Sequence, residues 1–463
     1  MPHARLDRRT LTFGLAAYLA FGWVYPLGLA LTGLRFDGGV PWILLGVLQL
    51  ASARLAWLSV VGKAYVNLMD VAFWVFVYVF FGVAAVFQRL AGSFPWSPTG
   101  ISSDHLLRAD AIIVFGILAY VIGRLLAPKQ RLRDIELTTG FWRVLFAAIV
   151  VAVVWPTVYV ALFGFDAVFV DRMTRGRLLG TLAGDSSVRT FSTALLSTPP
   201  LALLPAVLLM LPSRRRHKLL TISFIGLVVA NLVINNFMNS ARYIAGTVVL
   251  SSLAAFLLAG TARRHWLRLA PAALVVGLTL VFPFADAFRS IYQSFVPRPV
   301  VDMLVAKGDY DAYLQVVNAV RFVDDEGVMA GGNLVGVVAF WVPRTTWPAK
   351  PRPTGEYLAE HAGFSYTNLS APLWAEGLVA FGVLGVVGLM ITWGLVSGTL
   401  DLSLRRYASK DQHRVSPSVV LAVILAAYSL FLIRGALMPT FAYIVPVLIV
   451  FAVLTTPHLF LRR

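Results

Sequence analysis

The sequence predicts an all-α, polytopic membrane protein of about twelve transmembrane helices with one large extramembrane loop. Three observations predict it. Of 463 residues, 59% are hydrophobic and only 13% are charged, with a mean hydropathy of +0.78, whereas a soluble domain carries about a quarter charged residues. Apolar runs of roughly 20 residues, the length that crosses a bilayer core, recur along the whole chain. Lys and Arg collect in alternate connecting segments, the asymmetry that orients membrane proteins.

In chain order the runs lie near 11–33, 41–60, 66–88, 108–127, 141–163, 191–212, 219–237, 242–261, 268–285, 373–397, 417–433 and 440–458. The first is too long for a signal-peptide core and lacks a clean cleavage site, so it reads as an uncleaved span. Basic clusters at Arg5/Arg8/Arg9, Lys129/Arg131/Arg133, Arg214/Arg215/Arg216/Lys218, Arg263/Arg264/Arg268, Arg405/Arg406/Lys410/Arg414 and Arg462/Arg463 fall on one side together. Arg54, Arg124 and Arg143 sit at that same end of their spans and are expected to snorkel toward it. The net charge of +17 is then carried by that side alone, and the opposite side is near neutral. By the positive-inside rule the basic side is cytoplasmic, with both termini on it. The charge is a loop effect and implies no nucleic acid. The absence of cysteine excludes disulfides, thiol catalysis and Cys-based metal or iron–sulfur sites.

The organisation follows: nine helices over 1–285, a large extracytoplasmic loop over 286–372, and three helices over 373–463. The loop's first half, "VVDMLVAKGDYDAYLQVVNAVRFVDDEG", repeats Leu314, Val317 and Val320 at helical spacing. This predicts one or two amphipathic helices on the membrane surface. "GGNLVGVVAFWV" is apolar but too short to span, a candidate interfacial or re-entrant helix. A second outer loop, about 164–190, holds Arg172, Arg175, Arg177 and Arg189.

Several patterns carry little. "GGNLVG" lacks the lysine and hydroxyl of a phosphate loop and follows no strand. Gly382, Gly385 and Gly388 imitate a nucleotide fingerprint, but inside a span they read as sites of close helix approach. "DRMTRGR" imitates a transporter loop motif but lies on the wrong side. "NLS" at 368–370 is a glycosylation sequon by pattern only. The scattered histidines suggest no metal cluster.

On the predicted outer side, charge is informative. Arg242 opens a span, where a cation opposes the helix macrodipole. It either bends outward to lipid headgroups or holds an anion jointly with the free N–H groups of the helix. Arg289 and Arg434 follow spans, where the dipole favours cations. Arg344, Lys350 and Arg352 stand among Pro343, Pro348, Pro351 and Pro353, a stiff backbone beside Trp341 and Trp347 suited to an anionic headgroup. Asp286, Asp324, Asp325, Glu326, Glu356, Glu360 and Glu376 are all among the outer carboxylates. Glu376 suits the first turn of its helix, and any of them could serve as a general base.

Four of these stretches resemble a family. "PRTTWPAKP" with Gly355 is similar to the Pro-Arg-x-x-Trp-Pro-x-Lys-Pro signature of O-antigen polymerases and related repeat-unit polymerases of the Wzy type. "NSARY" resembles the family's Ser-Arg element, "EGLVAFGVLGV" its Glu-x-x-x-x-Phe-Gly-x-x-Gly segment, and "IRGAL" its late Arg-Gly element. Ala436 stands in the last where an acid is common. The resemblance runs from about Asn239 to the C-terminus. It implies a GT-C-like helical fold and a bacterial plasma-membrane glycosyltransferase that joins glycan units carried on undecaprenyl diphosphate. The implied partners are a polyprenyl-diphosphate-linked donor and acceptor, membrane lipid and a chain-length regulator; no metal or cofactor is expected. Glu376, Arg344 and Arg242 are then the candidate catalytic residues. Arg289, Trp347, Lys350, Arg434, Tyr366 and Asn368 are the candidate substrate-binding residues.

Two alternatives stand beside this reading. An O-antigen ligase uses the same donor with another acceptor. A transporter or flippase of lipid-linked oligosaccharide is permitted by twelve spans and by Pro199, Pro200 and Pro205 within the sixth. Few charges at mid-membrane and the large loop weigh against transport. Polyprenyl-phosphate-sugar transferases would place an acidic pair in the first outer loop, where only Asp37 is found.

Overall fold

The computed structural model describes residues 8–61, 63–128, 139–170, 172–183, 186–211, 217–284, 298–409 and 415–455. Arg289 and Asp286 lie outside these residues, as do the basic clusters at 129–133, 214–216 and 462–463. Among the described residues all regular structure is helical. The elements before the large loop are α1 (Arg8–Ala30), α2 (Trp42–Val60), α3 (Leu68–Ala91), α4 (Ser103–Leu126), α5 (Thr139–Phe163), α6 (Arg172–Ala183), α7 (Ser186–Met210), α8 (His217–Ile234), α9 (Arg242–Ala259) and α10 (Ala262–Phe284). The loop holds α11 (Val300–Ala306), α12 (Ala312–Glu326), α13 (Gly332–Val338) and α14 (Thr354–His361), and α15 (Leu373–Ser409), α16 (Pro417–Arg434) and α17 (Leu437–Thr455) follow.

Ten of these helices are long and apolar enough to cross a membrane, namely α1–α5, α7, α9, α10, α15 and α16. This is the architecture of a multi-pass membrane protein. The remaining two apolar runs of the sequence fall on α8 and α17, which are shorter in their described parts. An asparagine-rich stretch, Asn235 to Asn239, ends the first of them.

The bundle is built around α3. Every residue from Leu68 to Gln88 is buried, as expected of a helix apolar on all sides. Phe73 stacks on Tyr120 of α4, and Phe81 meets Trp374 of α15 edge-on at 4.8 Å. α4 and α15 pack along each other at backbone contact. A Cβ on Gly123 would lie 2.2 Å from the Ile391 carbonyl, and one on Gly394 2.2 Å from that of Tyr120. Small residues permit such approach in membrane bundles.

The glycines singled out in the sequence act differently. α15 breaks at Phe381–Gly382, where Gly382 adopts φ +65°, a left-handed conformation cheap only for glycine. The break frees the Val379 and Ala380 carbonyls, which accept the Met329 and Gly331 N–H groups at 2.8 and 3.0 Å. A Cβ on Gly388 would meet nothing within 4 Å. Gly385 does mark a close approach, since a Cβ there would lie 2.1 Å from the Gly377 carbonyl across the break, and α4 meets α15 at Gly123 and Gly394.

The loop helix α12 also departs from expectation. Residues 312–320 and Phe322 are buried, so it is a packed helix against α4 and α15. Its polar positions made it read as amphipathic, but Gln315 and Asn318 face protein partners.

Arg124 does not snorkel freely. Its side chain is 12% exposed and pairs with Asp70 at 3.3 Å and Asp401 at 2.7 Å, while Arg54 pairs with Asp70 at 2.6 Å. Asp401 also accepts the N–H groups of Met69 and Asp70 at 3.0 and 3.3 Å. It thereby caps α3 from another helix. Buried ion pairs become costly when one partner is removed. Asp401→Ala is therefore expected to destabilise the protein by about 3–5 kcal/mol, seen as a lowered Tm of the detergent-purified protein. Asp401→Asn, which keeps one acceptor, should lower it less.

Candidate functional site

One short segment, Lys307-Gly308-Asp309-Tyr310-Asp311, brings its own lysine and two acids together with Arg242 and Arg434. It forms a single 3-10 turn at Gly308–Tyr310, at the end of the bundle where α9 starts and α16 stops. Tyr310 anchors it. The ring is fully buried, stacks on Phe80 at 5.8 Å and donates its hydroxyl to the Leu278 carbonyl at 2.5 Å. Burial, with Asp309 adding to it, raises the phenol's pKa well above its ordinary value, so Tyr310 is a neutral donor.

The seat of Tyr310 is irregular. Phe80 lies in a π-helical stretch of α3 (Val77–Ala84), and Leu278 in one of α10 (Gly277–Val281). A third, Ala20–Val24, lies in α1. Wide turns of this kind leave carbonyls open and are frequent at functional sites. Here Tyr78 donates to the Phe21 carbonyl at 2.7 Å, and Tyr25 and Thr279 share a hydroxyl–hydroxyl bond.

Two arginines reach the segment from the bundle. Arg434, at the end of α16, donates to Gly308 O at 2.8 Å and Asp311 Oδ1 at 2.9 Å. Arg242, the first residue of α9, pairs with Asp309 Oδ1 at 3.3 Å and lies over the Phe282 ring at 4.9 Å. α9 has neither an acid in its first turn nor a side-chain cap. At this end Asp309 meets the Arg242 guanidinium. The two arginines are brought to one level because Tyr243 and Phe431, neighbours of each in sequence, stack at 3.4 Å.

The two acids differ. Asp311 is 1% exposed and saturated: Oδ1 also accepts from Ser370 at 2.6 Å, and Oδ2 from Trp96 Nε1 and Gln315 Nε2 at 3.3 and 3.2 Å. Asp309 lies between Arg242 and Lys307, 3.3 Å from each. The side chains of Arg242, Lys307, Arg434 and Asp309 are 21%, 23%, 20% and 17% exposed, so a ligand can reach them. Arg434 Nε is buried without a hydrogen-bond partner among the described residues, a state that marks an unmet acceptor. Two cations on the exchangeable carboxylate Asp309, with Arg434 on Asp311 two residues along the same segment, can hold an anion of two or more charges.

Of the residues proposed from sequence, Arg242 and Arg434 meet here. Glu376 does not. It is buried and accepts from Leu437 N at 2.6 Å, Thr354 Oγ1 at 2.5 Å and Asn333 Nδ2 at 3.1 Å. It joins α13, α14 and α15 and caps α17, fixing the corner just past Arg434. Arg344 donates to the carbonyls of Lys350 and Pro351 at 2.6 and 3.1 Å. Lys350 is 3% exposed and donates to Phe340 O, Val342 O and Ser187 Oγ at 2.6, 2.8 and 3.0 Å. These contacts shape the proline-rich loop itself. Trp347 is half-buried within it. Tyr366 is exposed and stacks on Trp96, and Asn368 is exposed.

Sequence reasoning missed Asp309, Tyr310, Asp311 and Trp96. The clue was an aromatic flanked by two acids directly after Lys-Gly, inside a segment read only for its periodicity. It also missed Arg175, whose buried guanidinium holds Ile234 O, Asn239 Oδ1 and Ser240 Oγ at 2.6, 3.1 and 3.1 Å and so sets the start of α9.

Compared with known proteins, the chain matches no family model, no curated protein and no solved structure.

Asp309→Asn should raise affinity for inorganic diphosphate about fivefold by titration calorimetry, because a partly exposed ion pair worth about 1 kcal/mol no longer competes for the cations.

Proposed function

We propose that the protein is a membrane glycosyltransferase that polymerises polyprenyl-diphosphate-linked oligosaccharide units at the outer face of the bacterial plasma membrane. The observation that carries this reading is the convergence of Arg242, Lys307 and Arg434 on one reachable segment. The likeness of Pro343–Pro351 to the polymerase signature supplies the substrate class. With α8 and α17 counted as spans the chain has twelve, both termini are cytoplasmic, and the 307–311 segment is outside. The helical arrangement is then GT-C-like.

In this mechanism the donor's diphosphate replaces Asp309 as partner of Arg242 and Lys307, with Arg434 on its other side. The acceptor's hydroxyl oxygen attacks the anomeric carbon of the donor sugar. The bond from that carbon to the diphosphate oxygen breaks, and the diphosphate leaves with the electron pair. Its growing charge meets guanidinium groups already in position, which need no reorganisation. The hydroxyl proton passes to Asp309, freed by the incoming diphosphate. Glu376, Arg344 and Lys350 act by holding the corner and the loop around this pocket.

Deletion of the gene should leave surface glycan as single repeat units, because unit synthesis continues and joining stops. Unchanged glycan length on a gel would overturn the reading. Arg242→Gln should lower polymer formation by a factor of about a hundred or more, the effect of removing one preorganised donor worth ~2–4 kcal/mol. Its Tm should stay near wild type, because the helix start loses a cation its dipole disfavours. A fully active variant, or one inactive only through unfolding, would remove Arg242 from the site.

A further inference from the structure

The turn between α3 and α4 is strained. Trp96 and Ser97 occupy left-handed backbone conformations in succession, at φ +65° and +46°. Neither is glycine, and such conformations persist only where their surroundings impose them. Three contacts impose this one. The Trp96 indole N–H donates inward to Asp311. The indole lies over Gly308 so closely that a Cβ there would come within 2.2 Å of it. The Tyr366 ring stacks on it at 5.6 Å and 21°.

The resulting ring pair is open: Trp96 is 38% and Tyr366 51% exposed. A tryptophan of the interfacial belt keeps its N–H toward water and headgroups. This one turns it toward a buried carboxylate whose other oxygen holds Arg434. A flat aromatic surface therefore stands one carboxylate away from the cationic cluster. Ser97 and Asn368, each adjacent to the platform in sequence, are exposed polar groups.

We propose that Trp96 and Tyr366 are the stacking platform for the sugar ring joined to the diphosphate that Arg242, Lys307 and Arg434 hold. The identity of the carrier rests on the reading above, while the platform rests on its own geometry. A pyranose presents a face of C–H groups that packs on an aromatic ring, leaving its hydroxyls to polar neighbours. Lipid tails would have no use for the adjacent cations, and a bare phosphate none for the rings.

The test uses the full-length protein in nanodiscs and two probes. One is undecaprenyl diphosphate; the other is the same lipid carrying the oligosaccharide, extracted from the cells that make the protein. Wild type should bind the glycosylated lipid about tenfold more tightly than the bare one, the scale of one aromatic contact. Tyr366→Ala, at an exposed site that does not threaten folding, should erase that difference and leave bare-lipid affinity unchanged; Trp96→Ala, which also removes a donor to Asp311, should erase it while weakening binding of both lipids. Trp96→Phe should keep part of it. A preference that survives both alanine variants, or a wild type that does not distinguish the lipids, overturns the platform. A separate polymer-forming assay isolates the other reading. Selective binding without polymer leaves the platform standing and the polymerase reading overturned.

Discussion

The Asp311 carboxylate is the contact on which the site depends. Four donors converge on it: Arg434 from α16, Ser370 from the approach to α15, Trp96 from the α3–α4 turn and Gln315 from α12. Placing a carboxyl group at 1% exposure is unfavourable unless its hydrogen-bonding capacity is met. Meeting them forces four parts of the chain into one place. The Arg242–Asp309 pair, the seat of Tyr310 and the exposed aromatic rings are then positioned as consequences.

Other buried carboxylates differ from Asp309 in how fully their partners enclose them. Asp401 binds Arg124 and the start of α3. Asp110 accepts from Arg89 at 3.2 Å and from Tyr313 at 2.8 Å. Glu376 accepts three hydrogen bonds and caps α17. Each is nearly enclosed, and its partners are spent on architecture. Asp309 differs in being reachable and in sharing two cations that can turn to a ligand. The contrast separates a catalytic candidate from a scaffold where residue type alone cannot.

That contrast also sets what was legible in the sequence. Run length and hydropathy located every long helix, because crossing a membrane demands one feature that any window can measure. The argument from the helix dipole singled out Arg242, and the structure pairs its guanidinium with Asp309. The roles of Glu376, Arg344 and Lys350 were not legible, since a motif states residue types and not whether their hydrogen-bonding capacity is already taken up by the motif's own backbone. α12 misled for a related reason: burying Gln315 and Asn318 against protein partners gives the same alternation as exposing them to water. The break at Gly382 was hidden because a glycine in a span serves close packing or a left-handed turn equally well.

Irregular backbone is concentrated where these groups meet. The π-helical stretches of α1, α3 and α10 free carbonyls that the Tyr78 and Tyr310 hydroxyls take up. The left-handed Trp96 and the broken α15 lie in the same half of the molecule. In a bilayer an unpaired carbonyl costs several kcal/mol, so deviations from a plain helix survive only where side chains repair them. Here the repair is done by tyrosine hydroxyls at the π-helical stretches and by the Met329 and Gly331 N–H groups at the break in α15. Local preference and fold disagree around the cationic segment, and agree elsewhere along the helices. The opposite end of the bundle, held by Asp70, Asp401 and Arg124, uses buried charge of the same kind, but Asp401 caps a regular helix there. Buried charge alone is thus not the mark of the site. Its mark is buried charge that supports a strained surface and leaves three cations within reach.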